Sequence, residues 1–366
     1  MLSALRQTRV DRPPVWMMRQ AGRHLPKYRA LRETISFMEL CRDEAANAIA
    51  SAEPLQRYGL DAAIVFNDIL IPLRDMGMGL DFQPGPRFER LISTVADAEV
   101  LSRPVYGPAT DVSRCIRALR QTVGEKSAVL GFIGAPFTVA SFAIAGSGTQ
   151  RVADLRIDAG ARRAVYEATQ ARLLPALVDY AAAQVEAGAD VIQVFESLAH
   201  DVDEPLYRQV GLPFMTRAIS EIRRVAPSTP VIAFGRGIWP YLTELARAGA
   251  AAVSLDETRP LADARRLLRE AGLSTALQGN LRPDALRGTP EQAAAEAVEL
   301  LGQWRSIVPH PERAAELGPT GWVFNLGHGV PAEADPGTVQ AVVDAVKSFA
   351  TMNAPTGLTP AEEVAS

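Results

Sequence analysis

Arg19 and Arg23 stand four positions apart, with Gly22 just before the second, inside the run Val15-Trp16-Met17-Met18-Arg19-Gln20-Ala21-Gly22-Arg23-His24-Leu25-Pro26-Lys27-Tyr28-Arg29. Two guanidinium forks aimed the same way suit a ligand rich in carboxylates or phosphates. A helical turn here would put both arginines on one face. Gly22 permits a tight turn or a close approach of backbone to ligand. Lys27 and Arg29 add to the local positive charge. The same residues also describe a solvated basic loop.

Three further residues have the chemistry to complete such a site. Asp68 follows the apolar run Ala62-Ala63-Ile64-Val65-Phe66 and Asn67. An ionised carboxylate is an acceptor only, so over an open cleft it can collect several N–H donors. An aspartate after a strand is also a frequent helix cap, but Pro72 interrupts the apolar run that follows, so capping is not obvious. Ser197 ends the run Val191 to Glu196 and suits either a substrate carboxylate or a local turn. His328 lies between Gly327 and Gly329. That backbone is too open for a packed core histidine, which favours ligand contact.

These residues need elements that bring them together, and a recurring pattern supplies them. Tyr58-Gly59-Leu60-Asp61, Ala187-Gly188-Ala189-Asp190, Ala248-Gly249-Ala250 and Ala271-Gly272 each lead into a short, nearly continuous apolar run that ends in a polar group. The glycines sit where helix C-terminal caps are expected. The runs read as strands buried on both faces. Further strands are expected at Val15–Met18, Ala128–Ile133, Val231–Phe234 and Trp322–Leu326. Helices are expected over Ala161–Ala187, Trp239–Ala248, Leu261–Ala271, from Thr289-Pro290 onward, and from Asp335-Pro336 to about Phe349. Alternating strands and helices, with about eight strands, predict a single-domain (β/α)8 TIM barrel over residues 1–350. A doubly wound open sheet is the runner-up, but no Gly-x-Gly-x-x-Gly follows a strand. In a barrel the strand C-terminal ends carry the chemistry, which gathers Arg19, Arg23, Asp68, Ser197, Asp256, Asn280 and His328 around one mouth. The tail, residues 351–366, has Pro355 and Pro360 and few large apolar groups, and is expected to be disordered.

Composition narrows the function classes. The chain has 366 residues, 48% of them hydrophobic, and a formal net charge of -4, which is no nucleic-acid footprint. Arginine dominates the basic residues, with lysine only at positions 27, 126 and 347, so only arginine placement carries information. Cys41 and Cys115 are too few for a disulfide framework and suit a reducing cytoplasm. No Cys-x-x-Cys, His-x-Cys or His-Glu-x-x-His spacing predicts a protein-built zinc site. No signal peptide is visible in Met1–Asp11. The uncharged run Ser127–Gln150 is broken by glycines and Pro136, so strand, loop and short helix are expected there instead of a membrane span.

The stretch Arg12 to Arg29 resembles the N-terminal signature of the uroporphyrinogen decarboxylase family, which usually has Tyr at the place of His24. Phe66-Asn67-Asp68-Ile69-Leu70, Gly134-Ala135-Pro136-Phe137-Thr138, Phe195-Glu196-Ser197, Leu277-Gln278-Gly279-Asn280-Leu281 and Asn325-Leu326-Gly327-His328-Gly329 resemble further family segments. The likeness extends over about residues 9 to 348. It implies decarboxylation of the four acetate side chains of uroporphyrinogen III to methyl groups, giving coproporphyrinogen III, with no cofactor and no metal. It implies catalytic roles for Asp68, Arg19 and Arg23, with Asp68 gripping the pyrrole N–H groups. It implies substrate contacts from Arg19, Gln20, Ala21, Gly22, Arg23, Asp68, Phe142, Ser197 and His328. It also implies a homodimer with active-site mouths facing each other. The chain departs from the family at Phe142, where a Tyr is usual, at Arg282, where an Asp is usual, and at Arg236, where a Lys is usual. Phe142 and Arg282 motivate a second reading, a non-catalytic tetrapyrrole-binding paralogue. A third, a corrinoid-related methyltransferase of the same superfamily, needs a thiolate–zinc site that Cys41 and Cys115 do not offer.

Overall fold

Parallel strands, each followed by helical cover, wind once around a common core in the computed structural model, which describes residues 1–8, 10–82, 85–146, 160–307 and 321–349. In chain order the strands are β1 (Ala62–Ile64), β2 (Leu80–Phe82), β3 (Pro86–Phe88), β4 (Ala128–Gly134), β5 (Val191–Glu196), β6 (Val231–Gly235), β7 (Ala252–Ser254), β8 (Ala276–Gln278) and β9 (Trp322–Val323). β2 and β3 form a separate antiparallel hairpin. The others form a seven-stranded parallel sheet in the order β1-β4-β5-β6-β7-β8-β9.

The eighth position is filled by Pro14–Trp16, which is too short to be a ladder of its own. Phe324 N–H donates to Pro14 O at 2.8 Å and Trp16 N–H to Phe324 O at 3.4 Å on one side. On the other, Asp61 N–H donates to Val15 O at 2.9 Å, and Val15 N–H donates to Asp61 Oδ2 at 2.7 Å. The ring is thereby closed between β9 and β1, as a (β/α)8 barrel requires. Arg12 clamps the closure, with Nη1 and Nη2 at 2.7 and 2.8 Å from the two Asp61 carboxylate oxygens. The same device recurs at β5. Asp190 N–H donates to Val129 O at 2.8 Å, Val129 N–H donates to Asp190 Oδ2 at 2.8 Å, and Arg120 holds the Asp190 carboxylate. An aspartate immediately before a strand thus binds the neighbouring strand through backbone and side chain at once.

The helices follow the expected boundaries closely: Gly160–Glu186, Leu261–Glu270, Pro290–Ile307 and Pro336–Ser348. Asp335 caps the last through Gly337 and Thr338 N–H, and Thr289 with Gln292 makes a reciprocal cap before the preceding one. Gly59, Gly188, Gly249 and Gly272 all have positive φ, between 66° and 110°, at the helix-to-strand turns. The run from Ser127 is strand β4 and, after Ala135 alone, a buried helix Pro136–Ala145; no described helix is long and apolar enough to cross a membrane. The expectation for the tail falls outside the described residues.

The barrel interior holds a polar layer that the apolar runs conceal. Trp16 Nε1 donates to Gln278 Oε1 at 3.0 Å, and Gln278 Nε2 donates to Gln193 Oε1 at 3.0 Å and Ser254 Oγ at 2.9 Å. All four residues are buried. These polar groups are held deep in the barrel by bonding to one another, with Gln193 Nε2 left without a partner among the described residues. This layer is the floor beneath the cavity at the strand C-terminal ends.

Candidate active site

Strand periodicity builds the walls of that cavity. Alternate residues of a strand face the same way, which puts Phe195 of β5 and Ser197 just past its end on the cavity, while beyond β1 the chain leaves the sheet and the whole run Ile64–Leu70 lines it. Phe132, Phe142 and Phe234 add aromatic walls, and Phe37, Phe82 and Pro86 close one side. Phe37 lies 4.6 Å, centroid to centroid, from Phe82 and 5.4 Å from Phe66. The enclosed space is about 1210 Å³ with the open mouth included. Met18, Arg19, Ala21, His328 and Gly329 complete the lining. The β2–β3 hairpin, which supplies Phe82 and Pro86, was not foreseen: its strands are three residues each, the second opening on Pro86, too short for a periodic signal.

Asp68 sits half-buried in this hollow. Its Oδ1 accepts from Leu70 N–H at 2.9 Å in a local turn, while the helix Ile71–Leu73 has Leu70 at its N-cap and no side-chain cap. Its Oδ2 has no hydrogen-bond partner among the described residues. Loss of water raises the Asp68 acid to about 6, against the Leu70 hydrogen bond and the charge of Arg19, which pull it down. The carboxylate is therefore ionised at neutral pH but poised close to titration.

Arg19 and Asp68 share the cavity, and each feels the other's charge. Arg19 adopts φ +59°. Desolvation lowers its guanidinium pKa, Asp68 raises it, and Arg23 and Arg236 lower it; an arginine remains charged throughout. Its aliphatic stem lies against Gly329, where an added Cβ would meet Arg19 Cδ at 2.4 Å and Cγ at 2.7 Å. The His328 imidazole is pushed down to about 4, first by burial and then by Arg19, Arg236 and His200. It is neutral at physiological pH and offers hydrogen bonds, not charge.

Other expected site residues are placed differently. No helix links Arg19 to Arg23: the left-handed Arg19 and a series of turns intervene, and the helix begins only at Pro26. Arg23 is exposed and outside the cavity lining, near enough to repel Arg19. The Gln20 side chain is spent on structure, accepting from Met17 N–H at 3.0 Å and donating to Ala62 O at 3.0 Å. Gly22 is also outside the lining, and a Cβ there would meet Arg19 O at 3.1 Å. Asp256 stands at a strand end but holds Gly237 N–H, Trp239 Nε1 and Thr258. Asn280 Nδ2 ties down the carbonyls of Asp256 and Arg259. Glu196 is fully buried behind the wall, bonded to Thr138 and Tyr207, and burial lifts its acid to about 7. Ser197 N–H is taken by Thr138 Oγ1 at 2.9 Å, which leaves its hydroxyl for the cavity.

The departures sort by position. Phe142 lines the cavity, so the missing hydroxyl is a change within the site. Arg282 is exposed and paired to Glu296 away from the cavity, so that departure touches surface only. Cys41 and Cys115 are buried, and Cys115 Sγ donates to Cys41 O at 3.5 Å. Burial pushes both thiols up, Cys115 to about 12, the reverse of a metal-binding thiolate. Among the described residues no three His, Cys, Asp or Glu side chains are grouped to hold a metal.

A (β/α)8 barrel whose aromatic-walled cavity at the strand C-terminal ends holds a carboxylate and an arginine has the architecture of an enzyme. The chain belongs to the uroporphyrinogen decarboxylase family, whose sequence profile, "Uroporphyrinogen decarboxylase (URO-D)", matches residues 1–349. It is 36% identical over 354 residues to the uroporphyrinogen decarboxylase of Myxococcus xanthus (94% of this chain, 95% of the other), and 37% identical over 360 residues to that of Anaeromyxobacter dehalogenans (95% and 98%). The fold is shared with a methyltransferase from Methanosarcina mazei, at TM-score 0.72 and 21% identity over 95% of this chain and 97% of that one.

Proposed function

We propose that this protein decarboxylates the four acetate side chains of uroporphyrinogen III to methyl groups, giving coproporphyrinogen III, and that it needs no cofactor. The observation that carries the reading is the unsatisfied Oδ2 of Asp68 beside Arg19, inside a hollow walled by phenylalanines. Aromatic walls suit the faces of a macrocycle, a central carboxylate suits its inward N–H groups, and arginines suit its carboxylates.

The chemistry follows from the substrate's own electrons. Protonation of an electron-rich pyrrole carbon gives a cationic ring. The bond from the acetate CH2 to its carboxylate breaks, the electron pair flows into the ring, and CO2 leaves. The CH2 carbon then takes a proton to become methyl, and the ring returns the proton it first received. Each cycle replaces one CO2 by one proton. The ring is its own electron sink, the role a cofactor fills elsewhere. Asp68, ionised and short of water, stabilises the cationic ring while holding its N–H groups; Arg19 orients a carboxylate, assisted by Arg23 at the rim. Ser197 Oγ and neutral His328 add hydrogen bonds to the acid side chains.

Anaerobic incubation of the purified protein with uroporphyrinogen III, with products sorted by number of carboxylates, tests the reading. It expects species with successively fewer carboxylates, ending at four, in metal-free buffer. Tight binding without any loss of carboxylate would instead mean the non-catalytic paralogue, and a stoichiometric zinc content would mean the methyltransferase. The proposal extends to a two-fold homodimer in a reducing cytoplasm. Two buried, unpaired thiols are consistent with that compartment, and the mass of the particle in solution checks the dimer.

A further inference from the structure

Two strands at the mouth, β1 and β5, place an aromatic ring against the cavity and, two residues later, a polar side chain. Phe66 is followed by Asp68 and Phe195 by Ser197, and all four line the cavity. β6 repeats this arrangement. Phe234 lines the cavity, with its ring centroid 6.3 Å from that of His328, and two residues on comes Arg236. Strand alternation, continued one residue past the end of β6, directs Arg236 to the same side as Phe234 but outside the residues that line the cavity.

Its backbone is fixed there. Arg236 N–H donates to Glu196 O at 3.2 Å. The next residue, Gly237, has φ +73°, gives its N–H to Asp256 Oδ2 at 2.7 Å, and packs so tightly on His200 that an added Cβ would lie 2.9 Å from the His200 Cα. The side chain, in contrast, is exposed and has neither an ion pair nor a hydrogen bond among the described residues. The nearby carboxylates are spent: Asp256 holds the Gly237 loop, and Asp201 is paired with His200 at 3.2 Å. The charge of Arg236 reaches Arg19, His328 and His200, so it belongs to the same electrostatic field as the cavity.

We propose that Arg236 is a substrate-binding residue that grips a carboxylate kept throughout the reaction, a propionate-type side chain of the macrocycle, from the side of the mouth formed by β6. Arg236 is exposed and outside the cavity lining, whereas Asp68 is half-buried among the aromatic walls, so Arg236 is assigned a side chain away from the reacting carbon. This inference rests on the decarboxylase reading.

The test compares wild type with Arg236→Ala and Arg236→Lys, using anaerobic substrates bearing eight and five carboxylates. Arg236→Ala is expected to raise KM about ten-fold on both substrates, the loss of one charge-assisted contact, with kcat nearly unchanged. Arg236→Lys, which keeps the charge but loses the fork, is expected to fall between. Unchanged KM in Arg236→Ala overturns the proposal, and so does a fall in kcat at constant KM. A KM effect confined to the eight-carboxylate substrate also overturns it, because Arg236 would then hold a group that leaves. Absence of turnover by the wild type is a failure of the decarboxylase reading itself, and is thereby distinguishable.

Discussion

Asp68 divides its two oxygens, one to the Leu70 N–H and one to the open cavity. Keeping this carboxylate ionised out of water works against the fold. Its acid is raised from the ordinary value near 3.8 to about 6, so ionisation is harder in the folded chain than in the unfolded one. The stability it contributes is therefore full below about pH 3.8 and is lost as pH rises through about 6. Asp68→Asn is accordingly expected to melt a few degrees higher than wild type at pH 7, measured by calorimetry, while losing about 100-fold or more in turnover. The same titration predicts that kcat/KM of the free enzyme falls as pH drops through about 6; a profile flat down to pH 5 would separate Asp68 from the chemistry. Asp68, Ser197 and His328 were legible as site candidates because each is a polar group in a context that packing does not explain. Gln20 was not legible as structural, since its two backbone partners at Met17 and Ala62 exist only after folding. The sequence marks Arg236 only as a departure at a place where Lys is usual, because without the register of β6 an arginine after an apolar run has many surface roles.

The loop Asn325–Val330 shows how an element, not a residue, sets the geometry. Asn325 Oδ1 accepts from Met18 N–H at 3.0 Å and from Leu326 N–H at 2.8 Å, and Val330 N–H donates to Met18 O at 2.8 Å. The loop is thereby stitched to the segment bearing Arg19. Gly329 leaves the space that the Arg19 stem occupies. Gly329→Ala is expected to displace Arg19 and raise KM about ten-fold, with circular dichroism unchanged; full affinity in that variant would show that Arg19 is not set by this contact. The alternation of short apolar runs with capped helices was readable because period and punctuation are local properties. The polar floor of Trp16, Gln193, Ser254 and Gln278 was not, because it arises from strands up to 262 positions apart. The turn at Arg19 also defeated the helical reading: i and i+4 spacing brings side chains together only if the backbone is helical, and φ +59° at Arg19 prevents that.

At the scale of the molecule, the barrel is closed by Pro14–Trp16, the segment that leads directly into Arg19. The segment that closes the barrel and a residue that lines the cavity thus belong to one stretch of chain. Asp61→Ala removes the carboxylate that holds both Arg12 and Val15 N–H and is expected to cost about 2–4 kcal/mol of stability in denaturant unfolding. It should lower activity as well, because the strand position next to β1 loosens. The central claim is that one anion at the middle of the mouth carries the cationic ring through loss of CO2 while the rim arginines only hold the acid side chains. The most direct measurement is the single-turnover rate of the first decarboxylation of bound uroporphyrinogen III in Asp68→Ala, beside the wild type, at saturating enzyme. The account predicts a fall of about 100-fold or more with substrate still bound; a wild-type rate in that variant would contradict it.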